Sequence, residues 1–506
     1  MSINTELVHA LLDDAAAAAP HATAVRDSTS ALTYRRLAEL SHVFAHWLRE
    51  HGVGRGDRLV VQLPSRCKQV VLFYGASRAG VVFVPLNPAM KEFHLSSVLA
   101  DAEPAATVAS GPDAERLRRI TATPVYDLDT VWPQIADRPA VPVTTEVTPD
   151  DIAVLIYTSG STAAPKAVVG PHAQVTFACR AIHAVLRYRP DDVVFCRFPL
   201  SWDYGLYKVL LAALGGCELV LAGEESDLVL LRRMRVVGAT VVPIVPSLAT
   251  MIATLAARDT ESAPPVRMFT NTGAALPPST IEALRAAFPG VRVVRQFGQT
   301  ECKRISIMPP ERDRERPQSV GLPLPGTSVS ILDADGRPVP TGEVGEIVAS
   351  GPHVMPGYWR SAELSASTFR RDRQTGELRL HTGDYGSVDA DGYLYFEGRR
   401  DDMFKRRGIR MSTIEIEAAA MDVPGVRTAA VLPPGADHDL AIFVTGDLAP
   451  HVVLKELAQR LEPAKVPATC QVLDELPLTS HGKNARQALA ALLGAGTPLS
   501  GGGSGS

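Results

Sequence analysis

Short apolar runs rich in Val and Ile recur along the first 300 residues: RLVVQLP (58–64), GVVFVPL (80–86), ATVVPIV (239–245) and VRVVRQF (291–297). Between them lie Ala- and Leu-rich stretches with helical spacing of the apolar positions, such as YRRLAELSHVFAHWL (34–48) and STIEALRAAF (279–288). Continuous apolar runs of strand length, separated by amphipathic helices, are the pattern of parallel strands buried on both faces. From about Gly321 the texture changes to short segments punctuated by Gly, Pro and Asp-Gly. The pairs Asp335-Gly336 and Asp391-Gly392 predict β-hairpins in an antiparallel or barrel-like subdomain. A charged run, RRDDMFKRRGIRMS (399–412), precedes a shorter mixed tail.

The predicted fold class is therefore α/β: a large N-terminal domain of two α/β sheet subdomains plus a β-barrel-like subdomain, followed by a small, mobile C-terminal α+β domain. The boundaries are placed at 1–400, 401–494 and, for a Gly/Ser-rich linker, 495–506. A chain of 506 residues is long enough for at least two domains.

Charge and cysteine content narrow the function classes. With 51 Lys+Arg against 55 Asp+Glu, the chain lacks the basic excess that nucleic-acid binding demands. Its six cysteines show no C-x-x-C spacing, so a disulfide framework or zinc cluster is not expected, and the thiols read as reduced and mostly buried. Glu6, Asp13 and Asp14 interrupt the stretch a secretory signal would need, and no run reaches the roughly 18 apolar residues of a membrane span. A cytoplasmic protein with no membrane or nucleic-acid partner is the expectation.

The most informative segment is LIYTSGSTAAPKAV (155–168). An apolar run delivers Thr158, Ser159, Gly160, Ser161 and Thr162, with Lys166 close behind. Small residues let backbone N–H groups approach an anion, hydroxyls add donors, and a lysine brings full charge to phosphate oxygens. An ordinary Ser/Thr turn with a surface lysine has the same composition. A Walker A loop is excluded, because G-x-x-x-x-G-K-[ST] is absent.

In its order of residues this segment resembles the signature Y-T-S-G-S-T-G-x-P-K-G of the adenylate-forming superfamily, which includes acyl-CoA synthetases, luciferases and nonribosomal peptide synthetase adenylation domains. Ala163 and Ala167 stand where that family usually has glycine. Further motifs follow in the family's order: FPLSWDYGLYK (198–208), TGAALP (272–277), QFGQTE (296–301), HTGDYG (381–386), YFEGRRDD (395–402), G-x-R at 408–410 and LPLTSHGKNAR (476–486). The resemblance implies ATP and Mg²⁺ as cofactors. Nucleotide contacts would come from Thr158 to Thr162, Lys166, Gly273, Ala274, Ala275, Gln296, Phe297 (stacked on adenine), Gly298 and Thr300. Asp384 and Arg399 would hold the ribose, and Glu301 the metal. Lys483, Arg410, Thr158 and Lys166 would be catalytic, with Asp401 as the hinge.

The acid itself is read from fewer residues. Asp203 lies in an otherwise apolar helical segment, where a buried carboxylate is costly unless paired; a turn-capping Asp is the plainer alternative. In amino-acid-activating relatives an aspartate at this place binds the substrate ammonium. Lys303 and Arg304 directly follow Glu301, and an arginine suits a bidentate carboxylate grip; both are equally open to a structural or phosphate-facing role. With Tyr204, Tyr207 and Thr272 as walls, the set resembles stand-alone enzymes that load β-amino acids, of the 3-methylaspartate type, onto carrier proteins in polyketide assembly, although Thr272 stands where those have serine. The expected partners are a small amino acid and an acyl carrier protein. A CoA ligase for a small polar or aryl acid is the alternative.

Overall fold

The computed structural model describes residues 6–144, 146–158, 166–223, 226–399, 403–406, 409–435, 438–477 and 485–495. The apolar runs form strands as expected. A six-stranded sheet has the spatial order Val125–Asp127, Ala106–Ala109, Arg58–Gln62, Val82–Leu86, Ile152–Thr158, Lys166–Pro171. Its members are parallel except for the last pair. Every residue of Val82–Leu86 and Ala106–Ala109 is buried, because helices cover both faces of a parallel sheet.

A second sheet of 14 strands carries the site. Its parallel part runs through Arg292–Phe297, Met268–Asn271, Val241–Ile244, Val193–Cys196, Glu218–Leu221 and Thr23–Arg26. The segment after Gly321 is antiparallel, as its hairpin signals predict. It is joined to this same sheet: the two-residue strand Ser306–Ile307 pairs with Arg292–Phe297 on one side and Ser319–Pro323 on the other, and Leu394–Arg399, Leu378–Val388, Gly345–Ser350 and Ser328–Leu332 extend the ladder. Both Asp-Gly pairs lie in hairpin connections, with Gly336 and Gly392 at φ of +79° and +84°, where a residue without Cβ is favoured.

The C-terminal part is smaller. Val426–Leu432 pairs antiparallel with Ala441–Gly446, which pairs parallel with Thr469–Leu473. Helices Thr413–Met421 and Pro450–Arg460 bury Ile416, Ala420, Val453 and Leu457 against this sheet. Five of the six cysteines are buried and all are unpaired. Among the described residues no helix is long and apolar enough to cross a membrane.

Candidate active site

Thr158 and Lys166 end two antiparallel strands and face each other across the ladder. The loop between them, with Ser159, Gly160, Ser161, Thr162 and Ala163, lies outside the described residues, as do Asp401 and Lys483 and the side chain of Arg410. Ala167, where the family resemblance expects glycine, sits in the strand opposite Tyr157 and has no left-handed backbone to accommodate. The methyl group there is buried and costs the strand nothing in geometry.

Lys166 projects from its strand toward Glu301. Its Nζ lies 3.2 Å from Glu301 Oε1 and 2.9 Å from the Tyr358 hydroxyl, which in turn donates to Oε1 at 2.6 Å. Glu301 is almost fully buried, so this cation and phenol satisfy a carboxylate that would otherwise be expensive to desolvate. Burial first, then the charge on Glu301, raises the Tyr358 pKa, so the phenol keeps its proton and stays a donor. A lone, buried, oriented carboxylate fits a magnesium ion that takes its remaining ligands from phosphates and water. Sequence reasoning found Lys166 and Glu301 but missed Tyr358, which carries no motif signal in GYW.

The segment from Gly298 to Arg304 is a tight loop. Lys303 N–H donates to Gln299 O at 2.8 Å, and Lys303 holds φ at +68°, in the left-handed region. A Cβ on Gly298 would stand 2.6 Å from Arg304 Cα, so only glycine lets the two arms of the loop approach. Thr300 is half-buried beside Glu301. Phe297 packs against Phe396 with ring centroids 5.1 Å apart, an aromatic platform with one side half-exposed. Residues 272–277 follow the strand Met268–Asn271; Gly273 has φ +88°, and Ala274 and Ala275 are exposed, which leaves their backbone accessible. Asp384 and Arg399 are cross-strand partners joined by a 3.0 Å ion pair.

The helix Asp203–Gly215 presents Asp203, Tyr204, Tyr207, Lys208 and Leu211 to a small cavity of about 10 Å³, room for a single water, bordered on the other side by Ile182, Gln296, Lys303 and Arg304. The spacing i, i+1, i+4, i+5, i+8 is one helical face. Asp203 is half-buried at the first position of that helix, and it is not a side-chain cap. Lys303 Nζ sits 4.8 Å above the Tyr207 ring and the Arg304 guanidinium 4.9 Å from the Tyr204 ring. Burial lowers the Lys303 pKa, opposed by Asp203 and then Glu301, so this ammonium lies in the field of both carboxylates and links the cavity to the phosphate side.

Two expectations sit differently here. Gln296, grouped with the nucleotide by motif, lines the same cavity as Asp203, and its Oε1 accepts from Arg304 Nε at 2.8 Å. Thr272 is buried at the end of its strand but is not among the cavity's lining residues. Lys208, buried and lining the same cavity, was missed, although its place five residues after Asp203 on one helical face was legible.

Comparisons with known proteins place the chain in a family. The AMP-binding enzyme model matches residues 12–359, and the AMP-binding enzyme C-terminal domain model matches 415–483. A feruloyl-CoA synthase of Amycolatopsis sp is 31% identical over 92% of this chain and 94% of its own. An L-proline--[L-prolyl-carrier protein] ligase of Streptomyces coelicolor is 30% identical over 89% and 90%. Among solved structures, VinN is 56% identical with a TM-score of 0.74, over 78% of this chain and 98% of its own; its complexes with L-aspartate and with 3-methylaspartate match at 55% and 52% identity, with TM-scores of 0.73 and 0.67 and the same 98% share of their own chains over 78% and 77% of this one. The chain thus belongs to the AMP-binding enzyme family and is an adenylate-forming ligase.

Proposed function

We propose that this ligase activates a small amino acid, aspartate-like or β-amino, as the aminoacyl-AMP and then passes it to the phosphopantetheine thiol of a carrier protein. The observation that carries the reading is the small cavity lined by Asp203, Lys303 and Arg304 together. One carboxylate and a cation pair suit a molecule that bears both an ammonium and a carboxylate beyond the one that reacts. Support comes also from VinN, whose solved complexes contain L-aspartate and 3-methylaspartate, and from the prolyl-carrier-protein ligase.

In the first step a carboxylate oxygen attacks the α-phosphorus of ATP and pyrophosphate leaves. Two anions must meet, so catalysis rests on positioning and on preorganised positive charge. Lys166, with Thr158 and the loop 159–162, holds the β- and γ-phosphates, while Phe297 and the backbone of 273–275 seat the adenine. Asp384 and Arg399 exchange part of their mutual pairing for the ribose hydroxyls. Glu301 would hold a Mg²⁺ ion, which would supply charge neutralisation for the leaving pyrophosphate. Lys483, assisted by Arg410, bridges the substrate carboxylate and the α-phosphate, and the C-terminal part turns about Asp401 for the second step.

Asp203→Asn tests the amine anchor. Pyrophosphate exchange with amine-bearing acids should fall at least about a hundredfold, as expected for removing one partner of a buried charge pair; undiminished exchange would sink the assignment. The second reading, a CoA ligase for a small polar or aryl acid, draws on the likeness to feruloyl-CoA synthase. Offering free CoA or a carrier protein with a free phosphopantetheine thiol to the preformed adenylate separates the two.

A further inference from the structure

Lys208 is a lysine in the wrong company for a structural role. Its side chain is 2% exposed, its ammonium makes no ion pair or hydrogen bond among the described residues, and it rests 4.4 Å from the Tyr204 ring centroid. Burial, then the nearby Arg304 charge, lowers its pKa to about 7, with Cys196, Cys179 and Asp203 pulling weakly the other way. A buried ammonium without an anion is a standing cost to the fold unless something bound offsets it.

The other polar groups of the cavity point to what that is. Arg304 can only donate, which fixes Gln296 Oε1 as the atom facing it and leaves Nε2, a donor, buried with no partner among the described residues. The Tyr207 hydroxyl is likewise buried and unpartnered there. Gln296 Nε2, Tyr207 OH, Lys208, Lys303 and Arg304 are all donors, and they surround a space whose one carboxylate is Asp203. Once a substrate ammonium neutralises Asp203, Lys303, Arg304 and the protonated form of Lys208 remain, while the reacting carboxylate is committed to the nucleotide. A second carboxylate on the ligand is the group that satisfies them.

We propose that Lys208 is a specificity-determining residue, receiving the side-chain carboxylate of a short aminodicarboxylic acid together with the free donors of Gln296 and Tyr207. Its side chain reaches back along the helix to the Tyr204 ring, so its ammonium enters the cavity that Asp203 also lines. This rests on the amino-acid reading above and adds to it the charge of the side chain and the group that reads it.

The test is pyrophosphate exchange by the full chain with aspartate, its uncharged isostere asparagine, and β-alanine, for the parent enzyme, Lys208→Met and Lys208→Gln. The parent should prefer aspartate over asparagine. Both variants should raise the KM for aspartate about thirtyfold or more, collapsing that preference, with asparagine little changed. A structural role would instead move all substrates alike. A parent enzyme that does not discriminate aspartate from asparagine overturns the proposal without any variant, as does a folded variant that keeps the preference. If the parent turns over only acids without an amine, the amino-acid reading itself has failed, a different result.

Discussion

Lys208 also has a consequence for stability. Its lowered pKa means that, between about pH 7 and the ordinary lysine value, the unfolded chain binds a proton that the folded chain does not. This group therefore opposes folding fully below about pH 7, and the penalty fades as pH rises toward that ordinary value. Lys208→Met should raise Tm, more at about pH 6 than at about pH 9; a uniform or opposite shift in thermal melts would contradict it. Tyr358→Phe removes the phenol donor from Glu301, and loss of a group that orients a metal-binding carboxylate commonly costs about tenfold or more in affinity. The apparent affinity for Mg·ATP should weaken by that order in a nucleotide-binding titration, with the KM for the acid unmoved. At this scale the sequence was uneven. Asp203, Glu301, Lys303 and Arg304 were legible because they sit inside ordered motifs. Tyr358 was not, because 57 residues separate it from the carboxylate it serves.

Among the elements, the helix Asp203–Gly215 does most to shape the cavity, and Gly205 sets how close it comes. A Cβ at that position would lie 2.2 Å from Pro199 O, in the turn that leads into the helix. Gly205→Ala should push the first turn outward, displacing Asp203 and Tyr204. The cost should be about 1–3 kcal/mol in denaturant unfolding, together with a raised KM for the acid; unchanged stability and KM would show that the turn yields freely. Strands and helices were readable here because buried parallel strands and amphipathic helices have different periods. The continuity of the second sheet was hidden, since its joint, Ser306–Ile307, is two residues long and carries no strand pattern of its own.

For the molecule as a whole, the account divides the work between a fixed body holding nucleotide and acid and a C-terminal part bringing Lys483. Lys483→Ala should cut pyrophosphate exchange by a few hundredfold, about 3–4 kcal/mol, yet largely spare thioester formation from preformed adenylate. Equal loss in both assays would remove Lys483 from the first step alone. Family and broad architecture were legible because the motifs run in order along nearly the whole chain. The Asp203, Lys303 and Arg304 set was legible too, whereas the further charge of Lys208 was missed, since it joins that set only where the helix face meets the loop after Glu301. The most direct measurement of the central claim is a pyrophosphate-exchange panel of α-amino, β-amino, dicarboxylic and aryl acids with the full chain. The account predicts that aspartate-like or β-amino acids dominate; turnover of aryl or fatty acids with none bearing an amine would contradict it.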